Sequence, residues 1–170
     1  MHDRRTPVET RRCASRALGG RTAARERGEH PAPPSTWHHR PVPPIDELTR
    51  IEPVHIARLD RQGVFTTGLL LEVSETTTRR QTLADQIGAD TTDVLMWRDE
   101  ALMLNLASFG PQEHQLMIQA GIEGLRGILD LDLDAFRVRV GRGAGELGID
   151  PPSNLTLEGW WDQARTLEDE

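Results

Sequence analysis

The sequence predicts an all-α domain of short helices preceded by a disordered tail. Apolar residues follow helical spacing from residue 45 onward, one segment recurs after 58 residues, and the first 44 residues have the composition of a disordered chain. Those 44 residues carry nine arginines against four acidic residues, with seven of the eleven prolines and few large aliphatic side chains. Such a segment cannot bury enough apolar surface to offset the entropy of ordering. We therefore divide the chain into an Arg- and Pro-rich arm, residues 1–44, and a folded domain, residues 45–170.

Composition narrows the possible functions. Residues 45–170 carry 11 arginines and 23 acidic residues, a balance of -12, and every basic residue in the chain is Arg. Without lysine there is no GK[ST] phosphate loop and no Schiff base. The single Cys13 cannot form an internal disulfide or complete a paired-cysteine zinc site. The chain has no apolar run of about 18 residues that would suggest a membrane span. We expect a cytoplasmic protein that is not an enzyme, with no catalytic residues, cofactor or metal.

The internal repeat predicts the first helices of each of its two copies. In both copies an apolar residue precedes a turn, then come a proline suited to the first helical position, about two helical turns and a glycine. The matched residues are Leu48, Ile51, Pro53, Leu59, Gly63 and Val64 in one copy, and Leu106, Phe109, Pro111, Met117, Gly121 and Ile122 in the other. A short apolar run follows each copy, over residues 69–73 and 125–129. Each copy therefore predicts a helix, a tight hairpin and a second helix.

Three further helices are expected. Thr78 could cap a helix that stops at Gly88, and Asp90 with Asp93 forms an acidic first turn before a broadly apolar, central helix over residues 94–106. At the end of the chain, Thr156 precedes an apolar stripe with steps of three, one, three and three residues: Leu157, Trp160, Trp161, Ala164 and Leu167. We expect this C-terminal helix to dock both indoles into the core. Stacking of the indoles on nucleobases is the functional alternative.

This pattern resembles the family known as domain of unknown function 4332, a tandem helix-hairpin-helix family. The resemblance is carried by residues 48–71, 78–84, 94–97, 104–129 and 160–165, which span nearly all of residues 45–167. It implies two helix-hairpin-helix units plus a C-terminal docking helix. For function, it implies an interaction module or a nucleic-acid-binding module.

The residues of the two predicted turns help to decide between an interaction module and a nucleic-acid-binding module. In helix-hairpin-helix units that bind nucleic acid, the turn reads Gly-hydrophobic-Gly-Pro, and its glycines let backbone N–H groups approach phosphates. The first turn here, residues 50–53, has neither glycine and carries Glu52, whereas the second, residues 108–111, keeps only Gly110. An anionic surface also repels a polyanion. The sequence therefore favours a non-catalytic interaction or scaffold module with an unknown protein partner.

Nucleic-acid binding remains the alternative. In that case the second hairpin and the basic arm would hold phosphates, and the hypothetical contacts are Gly110, Pro111 and Gln112. A basic cluster in the folded part consists of Arg137, Arg139 and Arg142. It could bind a phosphate or an acidic partner, although a solvated face is the simpler interpretation.

Other patterns have simpler interpretations. Residues 143–148 match G-x-G-x-x-G, but the Pro151-Pro152 pair prevents a continuing helix, so we expect a flexible linker after a strand-like alternation over residues 136–140. His55 and His114 should be surface residues rather than metal ligands. The alternating run Asp130, Asp132 and Asp134 should end one helix and cap the next.

Overall fold

A computed structural model describes residues 42–168 of the chain, with side chains through Leu167. A 3-10 helix, Ile45–Glu47, comes first. Eight α-helices follow: α1 (Pro53–Arg61), α2 (Thr67–Val73), α3 (Thr77–Ile87), α4 (Thr91–Leu104), α5 (Pro111–Gln119), α6 (Leu125–Leu129), α7 (Leu133–Leu147) and α8 (Asn154–Glu168). The described residues contain no β-strand, only an isolated bridge between Pro44 and Thr66. The predicted all-α class is confirmed.

The segment before the 3-10 helix packs on the folded part. The Thr67 amide donates to the Pro43 carbonyl at 2.8 Å, and the Ile45 amide donates to the Phe65 carbonyl at 3.0 Å. The folded part thus includes Pro43 and Pro44, which the sequence assigned to the arm. The rest of the predicted disordered arm, residues 1–41, lies outside the described residues.

The eight helices form two copies of one four-helix unit. Helices α1–α4 correspond to α5–α8 in order, with offsets of 58 residues at Pro53 and 63 residues at Trp97. Left-handed glycines recur at equivalent bends, with φ of 81° and 70° at Gly63 and Gly121 after the first helix of each copy. In each copy the second and third helices pack on the fourth. The repeat seen in sequence around the turns therefore extends through the described part of the chain.

Most helix starts follow the predicted capping chemistry. The Asp132 carboxylate accepts from the Ala135 amide at 2.7 Å, and the Asp93 carboxylate accepts from the Asp90 amide at 3.2 Å. These contacts confirm that the aspartate run caps α7 and that Asp90 and Asp93 start α4. Helix α3 ends, as expected, at Gly88, which takes the left-handed conformation with φ of 62°.

The predicted cap of α3 is wrong by two residues. Helix α3 is capped by Thr76, whose hydroxyl accepts from the Arg79 amide at 3.2 Å, so Thr78 lies inside its first turn. Helix α8 begins before Thr156, and the Ser153 hydroxyl accepts the Thr156 amide at 3.1 Å. Neighbouring hydroxyl residues compete for each cap, and local sequence does not choose among them.

The predicted linker over residues 143–148 is wrong, as is the strand-like alternation before it. These residues belong to α7 up to Leu147, and only Gly148 lies beyond the helix. Phe136, Val140 and Ala144 are buried at intervals of four, which is the helical spacing of an apolar face. Gly143 serves this packing, because a Cβ there would lie 3.2 Å from the Ala120 backbone nitrogen. Packing against α5 outweighs the low helix propensity of the glycines.

The hydrophobic core surrounds α4. Val94, Trp97, Ala101 and Leu104 are buried along it, as the broad apolar face predicted. In α8, Trp160 is buried and its ring lies 5.3 Å from the Phe109 ring in an edge-to-face arrangement, whereas Trp161 is half-buried against the core. The C-terminal helix therefore docks as predicted, with one indole buried and the other partly exposed. No helix within residues 42–168 is long and apolar enough to cross a membrane.

The glycines of α7 give a test of this packing. A Cβ built at Gly141 or Gly145 meets no heavy atom within 4 Å, so Gly141→Ala and Gly145→Ala should each stabilise the fold by about 0.5–1 kcal/mol. Gly143→Ala is the matched control and should be less stable than the wild type, because its Cβ would press on the Ala120 backbone. Urea denaturation followed by circular dichroism measures all three. A stabilising Gly143→Ala would contradict the close packing of α5 and α7.

Candidate functional site

In each copy, side chains of the fourth helix form hydrogen bonds to the turn that precedes the first helix. In the first copy the Trp97 indole N–H donates to the Arg50 carbonyl at 3.1 Å, and the Glu100 carboxylate accepts from the Thr49 amide at 2.8 Å. In the second copy the Trp160 indole N–H donates to the Ala107 carbonyl at 2.9 Å. The Gln163 side-chain oxygen accepts from the Ala107 amide at 2.9 Å. We call these pairs the turn clamps: Trp97 with Glu100, and Trp160 with Gln163.

Glu100 also joins the two copies. Its side chain is fully buried, and its Oε1 accepts from the Thr49 hydroxyl at 2.7 Å and contacts His114 Nε2 at 3.1 Å. Its Oε2 accepts from the Arg50 amide at 3.3 Å. Because Thr49 and Arg50 belong to the first turn and His114 belongs to α5, one carboxylate connects both copies of the unit.

The predicted surface position of the two histidines is wrong. His114 is 6% exposed, and His55 is half-buried with its ring 5.2 Å from the Trp97 ring. Spacing along the chain could not reveal the partner of His114, which lies 14 residues away in another helix. A signal did exist, since Glu100 interrupts the apolar face of α4 and a carboxylate at a core position requires a partner.

The two neighbouring carboxyl groups of α4 have opposite pKa shifts. Burial would raise the pKa of Glu100, but hydrogen bonds from His114 and Thr49 outweigh burial and lower the pKa below its ordinary value. Burial raises the pKa of Asp99, and this effect outweighs the hydrogen bond from the Arg126 amide and the nearby Arg126 and Arg50 charges. Glu100 is therefore held as a charged acceptor, whereas the site of Asp99 disfavours its charge.

Asp99 forms a second connection between the copies. Its Oδ1 accepts from the Arg126 amide at 3.0 Å, and a Cβ at Gly124 would collide with its Oδ2. Beside it, the Arg50 guanidinium lies 3.6 Å from the Glu123 carboxylate. The joint between the copies is thus made of Glu100, Asp99 and Arg50 from the first copy, which meet α5, α6 and the connection between them in the second.

The second hairpin places Gly110, Pro111 and Gln112 at the start of α5, where the sequence predicted phosphate contacts. The Gly110 amide donates to the Glu113 carboxylate at 2.8 Å, so a side chain of the same helix occupies this donor. Gln112 is exposed. Ser108 takes the left-handed conformation with φ of 59° at the position where the Gly-hydrophobic-Gly-Pro pattern has its first glycine.

The three candidate arginines do not form one patch. All lie on α7, where Arg139 and Arg142 are separated by about 60° around the helix axis and Arg137 points to the other side. Arg137 is half-buried and lies 3.4 Å from both Asp134 and Glu158. No hydrogen bond or ion pair among residues 42–168 joins the three arginines to the second hairpin. In that same region no group of three His, Cys, Asp or Glu residues is placed to hold a metal ion.

The fold and the clamps define a class: a helical repeat domain whose buried polar side chains hold its own turns. Residues 49–130 match the model of the family described as Domain of unknown function (DUF4332). This region, from the first turn through α6, belongs to that family, as the sequence resemblance implied. Searches of curated proteins and of solved structures found no match. The helix-hairpin-helix assignment of the two turns stays a prediction.

The neighbouring carboxyl groups of α4 allow a matched test of the joint. Glu100→Gln replaces an acceptor oxygen with an NH₂ group, and one buried donor loses its partner, so we expect a loss of about 1–3 kcal/mol of stability at pH 7. Asp99→Asn removes a charge whose burial is unfavourable and keeps an acceptor oxygen, so its effect should be small or stabilising. Urea denaturation of both variants gives the comparison. Equal losses would show that Glu100 has no special role in the joint.

Acidification tests the charge of Glu100. Because its pKa is lowered on folding, its stabilisation is complete above the ordinary value of 4.5 and is lost as the pH falls from there through the lowered pKa. The stability difference between wild type and Glu100→Gln should therefore shrink between about pH 5 and pH 3. Denaturation midpoints of both proteins across that range measure it. A difference that stays constant would mean that Glu100 is not a charged acceptor in the folded state.

Proposed function

We propose that the chain is a non-catalytic helical scaffold of the cytoplasm that binds a protein partner. The observation that carries this proposal is the internal use of its buried polar groups. Glu100 accepts from Thr49 and Arg50 and contacts His114, all within the chain. A catalytic carboxylate or histidine needs a face open to substrate. Such groups hold helices together more readily than they act on a ligand.

The backbone donors of the turns favour the same conclusion. Thr49 and Arg50 donate their amides to Glu100, Ala107 donates to Gln163, and Gly110 donates to Glu113. A phosphate at the second turn would have to displace the Glu113 carboxylate and approach its charge. The exposed Glu52, just before Pro53, places a carboxylate at the start of α1 as well. Both features oppose the phosphate contacts on which non-specific nucleic-acid binding depends.

Nucleic-acid binding is the competing function, supported by Arg139 and Arg142 on one side of α7 and by the basic balance of residues 1–44. Fluorescence anisotropy with labelled duplex DNA and single-stranded RNA separates the two functions. We expect the full chain to give no saturable binding at about 150 mM salt, because its folded part is anionic.

The controls use the same residues. Glu113→Gln removes the carboxylate charge from the second turn. The double variant Arg139→Ala, Arg142→Ala removes the two basic side chains from one side of α7. Saturable binding with a steep salt dependence, strengthened by Glu113→Gln and weakened by the arginine double variant, would refute the scaffold proposal in favour of nucleic-acid binding.

A further inference from the structure

The two copies differ in the groove between their first helix and the end of their third helix. In the first copy the Arg58 guanidinium, from α1, donates to the carbonyl oxygens of Ile87 and Gly88 at the C-terminal end of α3. These carbonyls lack partners within the helix, and the negative end of the helix dipole favours a cation there. The first copy therefore supplies its own guanidinium to this groove.

The second copy lacks that guanidinium. Leu116 stands at the position equivalent to Arg58, and no side chain among residues 42–168 donates to the equivalent carbonyl oxygens of Leu147 and Gly148. Glu113 stands where His55 packs beside Trp97 in the first copy. The first copy also has a cavity of about 430 Å³ beside Arg58, so the difference lies at the helix end itself. A Cβ built at Gly88 would lie 2.8 Å from the Arg58 guanidinium, whereas a Cβ at the equivalent Gly148 meets no heavy atom within 4 Å.

A cavity of about 320 Å³ lies beside this helix end, between α5, the α7–α8 connection and α8. Its walls combine two carboxylate residues, Glu113 and Asp150, with the apolar residues Leu116, Ile149 and Trp160. Apolar walls suit the aliphatic stem of a long side chain, and carboxylates suit a positively charged end. The cavity thus offers carboxylates to a guanidinium, whereas the end of α3 offers Arg58 backbone carbonyls in the first copy.

We propose that this cavity binds an arginine side chain of a protein partner that presents a basic peptide segment. The inference rests on the proposed scaffold function and gives it a surface and a class of partner. The guanidinium would lie beside the end of α7, with Asp150 and Glu113 next to it, much as Arg58 lies at the end of α3 in the first copy. The balance of -12 over residues 45–170 attracts basic peptides and repels nucleic acid.

The test is a titration of the full ¹⁵N-labelled chain with the peptide acetyl-Gly-Arg-Gly-amide, followed by amide NMR shifts. The matched ligand carries citrulline, which has the shape of arginine without its charge. We expect the arginine peptide to shift the Gln112, Ile149 and Asp150 amides and the Trp160 indole. Its affinity should exceed that of the citrulline peptide about tenfold, since hydrogen bonds between charged groups are the stronger ones. Equal affinities, or shifts confined to the first copy, would overturn the proposal.

Variants of the cavity complete the test. Asp150→Asn should weaken the arginine peptide several-fold, whereas Asp162→Asn, the same change at an exposed position of α8, should leave its affinity unchanged. Leu116→Arg should supply the guanidinium within the chain and abolish peptide binding. If that buried substitution unfolds the protein, the Asp150→Asn comparison still decides, and equal effects of the two aspartate variants would refute the site.

The two proposals fail separately. Saturable nucleic-acid binding in the anisotropy experiment would refute the scaffold function whatever the peptide result. Absence of arginine-specific shifts, in a chain that also fails to bind nucleic acid, would refute only the assignment of the cavity.

Discussion

The buried carboxylate of Glu100 is the constraint on which the rest of the structure depends. An ion of this kind, removed from water, is tolerated only when hydrogen-bond donors surround it. Here the donors come from the first turn and from α5, so neither element can move without leaving a charge unpaired. The interaction fixes where the second copy begins relative to the first, and the apolar core around α4 then fills the space between them.

Glu100 and Gln163 differ in the number of donors that each accepts. Both lie on the fourth helix of a copy and accept a turn amide, but within residues 42–168 only Glu100 also accepts a hydroxyl and a second amide and contacts a histidine of the other copy. A neutral amide oxygen is enough where a single N–H must be accepted.

Local patterns were sufficient for much of the fold. The turn, proline, helix and glycine of each copy and the Asp90 and Asp132 starts depend on neighbouring residues and could be predicted. The docking of Trp160 could be predicted from the apolar spacing of its helix, although its partners Ala107 and Phe109 could not. The joint could not, because Glu100 meets Thr49 across 51 residues and His114 across 14. The glycines of α7 were misleading for a related reason. Their low helix propensity is a local signal, whereas the contact of Gly143 with Ala120 that keeps the helix close to α5 is a tertiary one.

Hydrogen bonds within the protein explain why the candidate phosphate site could not be judged from spacing alone. A hairpin binds phosphate through free backbone N–H groups, and spacing alone cannot tell whether those groups are free. In the second turn, Ala107 donates to a side chain of α8 and Gly110 donates to Glu113. The turns therefore direct their donors into the protein, where they hold helices. Under the proposed scaffold function, a partner would meet other groups, and for the second copy we propose Asp150, Glu113 and the end of α7.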